Sequence, residues 1–258
     1  PLDKRIFPWN HANCGDLNLS GERRPQSYLR ETLWSDAPVS HIVVTPPVPS
    51  FPLNPNKADW SVWDFPDVVD HWNFPGYEGK KMTVSVYSNC EQVELFLNGE
   101  SLGKQENTAD KKNTLVWEVP YAHGILKAVS YNKGGEVGTA TLESAGKVEK
   151  IRLSADRTEI VADGNDLSYI TLELVDSKGI RNQLAEELVE FSIAGDATIE
   201  GVGNANPMSI ESFVANSRKT WRGSNLLVVR SGKSSGRIIV TAKVKALPVA
   251  SITITQKK

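Results

Sequence analysis

Cysteine is scarce in this chain: its 258 residues contain two, Cys14 and Cys90. They lie far apart, without a CxxC spacing or a histidine-rich neighbourhood. This excludes a disulfide-dense scaffold and a thiolate metal site, and it favours free structural thiols. An excess of basic charge is also missing. Lys and Arg total 29 against 31 Asp and Glu, for a net charge of -2. That near-balance argues against a dedicated nucleic-acid or anionic-membrane binder. No apolar run approaches the ~20 residues of a membrane-spanning helix. No signal-like apolar segment follows Pro1-Leu2-Asp3-Lys4-Arg5. Nucleophile elbows, HExxH and phosphate-binding loops are absent as well. Gly201-Val202-Gly203-Asn204-Ala205-Asn206 is glycine-rich but lacks the final glycine and the Lys-Ser of a phosphate loop. Neither a metal nor a cofactor is expected.

What is present is a period of two. Val84 and Val86 alternate with polar residues, as do Val93, Leu95 and Leu97, and then Leu115, Trp117 and Val119. Asn98-Gly99 follows the second of these runs and predicts a two-residue hairpin with both residues at positive φ. Ile125 to Tyr131 is a further strand, ending at Asn132-Lys133-Gly134-Gly135. A second set begins near Lys147: Ile151 and Leu153, Ile160 and Ala162, Ile170 to Leu174, Val189 to Ile193, Leu226 to Val229, Ile238 to Ala242, and Ile252 with Ile254. One long excursion, Gly201 to Gly223, interrupts it. Short alternating strands separated by turns indicate antiparallel sandwiches. The fold expected is mainly β: two immunoglobulin-like antiparallel sandwiches in tandem, with separate cores and a boundary near Ser144 to Glu149.

The first sixty residues read differently. Phe7 to Asp16 is loop. A helix is predicted over Gln26 to Trp34, with Pro25 suited to its first turn and Tyr28, Leu29, Leu33 and Trp34 near one face. Asp36-Ala37-Pro38 stops it. A proline tract through Pro55 marks a domain junction, with Ile42-Val43-Val44 as a short edge strand within it. Asp64, Asp67, Asp70 and His71 cluster near the junction, where the carboxylates offer oxygen ligands for calcium, but without a loop pattern they read better as turn and capping residues. Trp60, Trp63, Trp72 and Phe74 either stack on sugars or seal a domain contact. The contact is favoured, because aromatics carry large buried areas.

The order of segments resembles glycoside hydrolase family 2, the β-galactosidase-like enzymes. Cys14-Gly15-Asp16-Leu17-Asn18-Leu19-Ser20-Gly21-Glu22-Arg23-Arg24-Pro25-Gln26-Ser27-Tyr28-Leu29-Arg30 is similar to the motif that leads into the last helix of that family's catalytic barrel, with Asn18 at a usually acidic position. His71-Trp72-Asn73-Phe74-Pro75-Gly76 and Glu94 to Gly103 resemble the accessory sandwich after the barrel. Gly201 to Asn204, Glu211-Ser212-Phe213 and Ser217-Arg218-Lys219 resemble a further immunoglobulin-like domain.

The resemblance implies a division into a loop-and-helix remnant of a TIM barrel (1–36), a proline-rich linker (37–60), an accessory sandwich (61–146) and a C-terminal sandwich (147–258). It also implies that the acid/base and nucleophile glutamates lie upstream, since no residue here matches either motif. The expected catalytic set of this chain is therefore empty. Trp9, Asp16, Trp72 and Asn73 are the candidate sugar or domain-interface contacts. The implied whole is a retaining exo-glycosidase acting on β-galactosides, in a family that also contains β-glucuronidases and β-mannosidases this segment does not distinguish, in the periplasm or outside the cell. The implied partners are its own barrel and a carbohydrate substrate, with self-association through exposed apolar segments and no nucleic acid or membrane. A pair of carbohydrate-binding modules, or an adhesin-like array, are the other readings. Trp72 is expected at a domain interface.

Overall fold

The computed structural model describes residues 7–9, 15–51 and 66–258. Cys14, Trp60, Trp63 and Asp64 lie outside them. The chain divides between Ser144 and Ala145 into two compact units, each with its own apolar core.

The first unit contains α1 (Ser27–Trp34), β1 (Ser40–Val44), β2 (Lys81–Ser88), β3 (Gln92–Leu97), β4 (Glu100–Glu106), a 3-10 turn (Ala109–Lys111), β5 (Thr114–Pro120), β6 (Ile125–Asn132) and β7 (Gly135–Glu143). It forms a three-stranded sheet ordered β1-β2-β5 and a four-stranded sheet ordered β4-β3-β6-β7, with every pairing antiparallel. The alternating residues meet between the sheets. Ile42, Val44, Met82, Val84, Val86, Leu115, Trp117 and Val119 from one sheet face Val93, Leu95, Leu126 and Ala128 from the other. Pleating sends successive side chains to opposite faces, so period-two sequence becomes a one-sided apolar surface.

Residues 40–44 are therefore not linker. Ile42-Val43-Val44 is an edge strand, as its β-branched run suggests. It pairs with β2 from Ser40↔Ser88 to Val44↔Val84 and supplies core side chains. The proline tract around it hides a strand whose partner lies some forty residues further along the chain.

The second unit comprises β8 (Lys150–Ala155), β9 (Glu159–Val161), β10 (Leu167–Val175), β11 (Leu188–Ala194), β12 (Ala197–Gly203), β13 (Ser217–Lys219), β14 (Ser224–Ser231), β15 (Gly236–Val244) and β16 (Ala250–Lys257). Its sheets run β12-β14-β10-β8 and β13-β11-β15-β16-β9. Only β9 lies parallel to its neighbour, β16, among the described pairings. Ile170, Leu172, Leu174, Leu227 and Val229 from one sheet meet Val189, Phe191, Ile238, Val240 and Ala242 from the other. The glycine-rich segment Gly201 to Asn206 forms the end of β12 and a buried turn at Asn204 and Ala205, and no helix follows it.

The hairpin at Asn98-Gly99 has φ of 52° and 87°, the doubly left-handed turn that matches strand twist. The Asn98 side chain does more than tolerate this backbone. Its Oδ1 accepts from the Ile125 amide at 2.8 Å and its Nδ2 donates to the His123 carbonyl at 3.2 Å, which ties the β3–β4 turn to the start of β6. A Cβ on Gly124 would lie 1.8 Å from that Oδ1, so glycine is required there. Gly99→Val should cost roughly 1–3 kcal/mol, the range for a strained φ/ψ region. Gly124→Ala should cost a comparable amount by displacing Asn98. Gly138→Ala, where an added Cβ meets nothing within 4 Å, serves as the neutral control. Urea unfolding of the three variants checks the order, and equal midpoints would contradict it.

Candidate functional site

Two places collect the candidate residues. The first is the junction where α1 lies on the sheet β1-β2-β5. The motif segment before it folds on itself. Asn18 Oδ1 accepts from the Ser20 and Glu22 amides, and its Nδ2 donates to Glu22 Oε2 at 3.2 Å. An aspartate could accept those amides but would repel Glu22, so asparagine suits this sequence. Asp16 pairs with Arg30 of α1, and Arg24 donates its amide to the Asp16 carbonyl at 2.8 Å. Asp16 is thus an anchor between the motif and the helix.

The helix begins at Ser27, with Gln26 as its cap, so Pro25 lies just outside the first turn. Its face toward the sheet is not the predicted stripe. Tyr28 and Leu29 pack on Val43, Val68 and Tyr87, and Ser27 and Thr32 are the buried positions. Leu33 and Trp34 point away and are 65% and 85% exposed. Amide side chains fix the far end of the helix. Asn89 donates to the carbonyls of Ser35 and Ala37 and accepts from the Val39 amide at 2.8 Å, and Asn113 donates to Thr32 Oγ1 at 3.1 Å. On the near side, Glu31 Oε2 accepts from Arg23 at 2.7 Å and lies 3.2 Å from His41 Nε2. His41 stacks on Tyr28 with ring centroids 3.9 Å apart. The hydrogen bond from Arg23 holds the Glu31 carboxyl below its usual range, against partial burial.

The second place is the Trp72 segment, and here the interface expectation is corrected. Trp72 is 0% exposed and belongs to the core of the first sandwich itself. Its indole N–H donates to the Ala122 carbonyl at 2.8 Å, and Ser144 Oγ donates to its carbonyl. Phe74 and Tyr121 meet it edge-on at 5.9 and 4.9 Å, and the Tyr121 hydroxyl accepts from the Phe74 amide at 3.0 Å. Trp72 and Phe74 do point the same way, but inward. Their enclosure depends on Tyr121, Ala122 and Ser144, some fifty to seventy residues downstream, which the local pattern did not signal. Asn73 is also buried, its amide donating to His71 Nδ1 at 3.2 Å. Trp9 is half-buried and groups with the second unit, whereas Asp16 and the pair Trp72–Asn73 belong to the first.

Asp67 accepts from the Ser50 amide at 2.7 Å, a contact between residues well separated in the chain. Among the described residues no three His, Cys, Asp or Glu are placed to share a metal ion. Cys90 is a free, buried thiol. No helix among the described residues is long and apolar enough to cross a membrane.

Sequence reasoning missed one organising residue in the second unit. Arg218 on β13 is 1% exposed. It donates to the carbonyls of Val202 and Glu211 at 3.1 and 3.2 Å and to Ser209 Oγ at 3.0 Å, and it lies 4.2 Å from the Phe213 ring centroid. Glu211, its partly exposed counter-ion, also accepts from the Lys219 amide at 2.9 Å. Burial pulls the guanidinium below its usual value and Glu211 opposes that shift. The sequence marks Ser217-Arg218-Lys219 only as resembling part of an immunoglobulin-like domain and gives no sign that Arg218 is buried. A cleft of about 700 Å³ in the same unit is lined by Lys147, Glu149, Glu187 and Lys245 over Val148 and Leu247. Its walls include no aromatic ring, so it offers no sugar-stacking face.

Residues 151–253 match the model of glycoside hydrolase family 2 C-terminal domain 5, and residues 79–138 match a domain family of unknown function, DUF4982. The β-galactosidase BoGH2A of Bacteroides ovatus is 30% identical over 98% of this chain, which spans 26% of that protein. A β-glucuronidase of Formosa agariphila is 30% identical over 77% of the chain, which spans 20% of it. A crystal structure of a glycosyl hydrolase family 2 member from Bacteroides cellulosilyticus superposes with a TM-score of 0.98 at 99% identity, covering all of this chain and 33% of that one. The chain thus spans between a fifth and a third of these relatives. It belongs to glycoside hydrolase family 2 and corresponds to the C-terminal accessory region of that family's enzymes.

Proposed function

We propose that this chain is the non-catalytic buttress of a retaining exo-glycosidase that cleaves β-galactosides. The first sandwich holds the last helix of the catalytic barrel in place, and the second extends the support. One observation carries this reading. α1 is packed on the outer face of β1-β2-β5 through Tyr28 and Leu29, while Leu33 and Trp34 on the same helix, and Leu17 and Leu19 before it, stay exposed. A helix with a covered side and an exposed apolar side is built to sit between two partners. The second partner in this reading is the barrel of the same enzyme, which supplies both catalytic carboxylates. Retention of configuration needs those groups about 5–5.5 Å apart across the scissile bond.

The galactoside assignment rests on the β-galactosidase relative, and the β-glucuronidase relative makes glucuronides the competing substrate class. Assayed alone, the chain should release no nitrophenol from β-galactoside, β-glucuronide or β-mannoside substrates. Turnover that survives repurification and is lost on changing a single Asp or Glu would overturn the non-catalytic role.

A pair of carbohydrate-binding modules would need an exposed aromatic platform, and Trp72 is not one. Trp72→Ala should lower unfolding stability by roughly 3–5 kcal/mol, as for buried aromatics. Titrating galactosides or polysaccharide should leave tryptophan fluorescence unchanged in the parent chain. A glycan-dependent quench that Trp72→Ala abolishes at unchanged melting temperature would favour the binding-module reading.

A further inference from the structure

The contact between α1 and the sheet contains one group that titrates near neutrality. His41 projects from β1 on the same outer face as Val43, and its cross-strand partner is Tyr87 of β2. The imidazole lies flat against Tyr28, 15° from parallel, and its Nε2 faces Glu31. The neutral ring with its proton on Nε2 donates to that carboxylate. The same carboxylate oxygen is already taken by Arg23, whose guanidinium also lies 4.3 Å from the Tyr28 ring centroid.

We propose that His41 is a pH-responsive latch: α1 is held on β1 while the imidazole is neutral, and protonation biases the helix toward release from the sheet.

The argument is one of charge count in a half-buried place. Among the described residues, the charged groups acting on His41 are Glu31 of α1 and Arg23 of the segment before it. Tyr28 stacks on it and Tyr87 is its cross-strand partner, and burial pushes the Tyr87 hydroxyl above its usual value. Arg23 does not deprotonate, so one carboxylate already balances one permanent cation. A second cation leaves a net positive charge that no neighbour matches. Burial accordingly lowers the His41 value. Glu31 opposes this and Arg23 adds to it.

The sign follows from linkage. Well above the ordinary histidine range both docked and released forms are neutral, and docking is at full strength. As pH falls through that range, the released form binds its proton first and the docked form loses ground. The loss levels off once the docked form is protonated as well. Glu31, held below its ordinary value, adds a separate loss only at lower pH, so the two steps are distinguishable.

The test is an NMR titration of the whole chain from pH 8 to 5, with histidine ring and backbone amide signals followed together. His41 should titrate below the ordinary histidine value. Over the same range the docked signals of Tyr28, Glu31 and Val43 should lose intensity. In His41→Gln, whose side-chain amide still donates to Glu31 but does not titrate, that loss should vanish. Three outcomes would each overturn the latch: His41 titrating at or above the ordinary value, no change in the helix signals as it titrates, or an equal loss in both proteins. The first two need only the parent chain, so they hold even if the variant packs poorly.

Discussion

The sheet β1-β2-β5 is asked to be apolar on both faces. Its inner face carries the sandwich core, and one corner of its outer face, Val43 with Tyr87, is apolar too. A β-sheet with water on one side does not need the second patch. Here it exists because α1 covers it. Everything around the junction serves that cover: Asp16 ties the motif segment to the helix through Arg30, Asn89 and Asn113 bind the helix end, and Arg23, Glu31 and His41 close the side. The helix resembles a barrel element in sequence, yet in this structure it is the outer layer of a sandwich.

What the sequence disclosed was set by range. The Asn98-Gly99 turn and the alternation of β2, β3 and β5 depend on neighbours in the chain, and they were readable. The inward turn of Trp72 was not readable. A tryptophan between His71 and Asn73, ahead of Pro75-Gly76, has the local look of a surface or interface residue, and only Tyr121, Ala122 and Ser144 enclose it. The division of the helix was misread for the same reason. Tyr28, Leu29, Leu33 and Trp34 are all apolar, and the pattern does not say which of them has the sheet as its partner.

Arg218 shows the limit from the other direction. Charge in a sequence is read as surface, and most often that is right. Burying a guanidinium is costly unless its donors are met. Here two carbonyls and a hydroxyl meet the terminal nitrogens and Phe213 covers the plane, while Nε has no hydrogen bond among the described residues and lies 4.0 Å from Glu211 Oε2. The long segment from Gly201 to Gly223 is therefore a folded part of the second sandwich, organised around one cation.

The central claim is that α1 is a structural layer of the first sandwich. Differential scanning calorimetry of the chain lacking residues 1–14 and of the chain lacking residues 1–36 tests it most directly, because Trp9, which groups with the second unit, is then absent from both. Removing the helix uncovers Val43, Val68 and Tyr87, so the transition of the first unit should move to lower temperature while that of the second stays in place. Two transitions unchanged by the deletion would contradict the claim and leave α1 a passenger on the sheet.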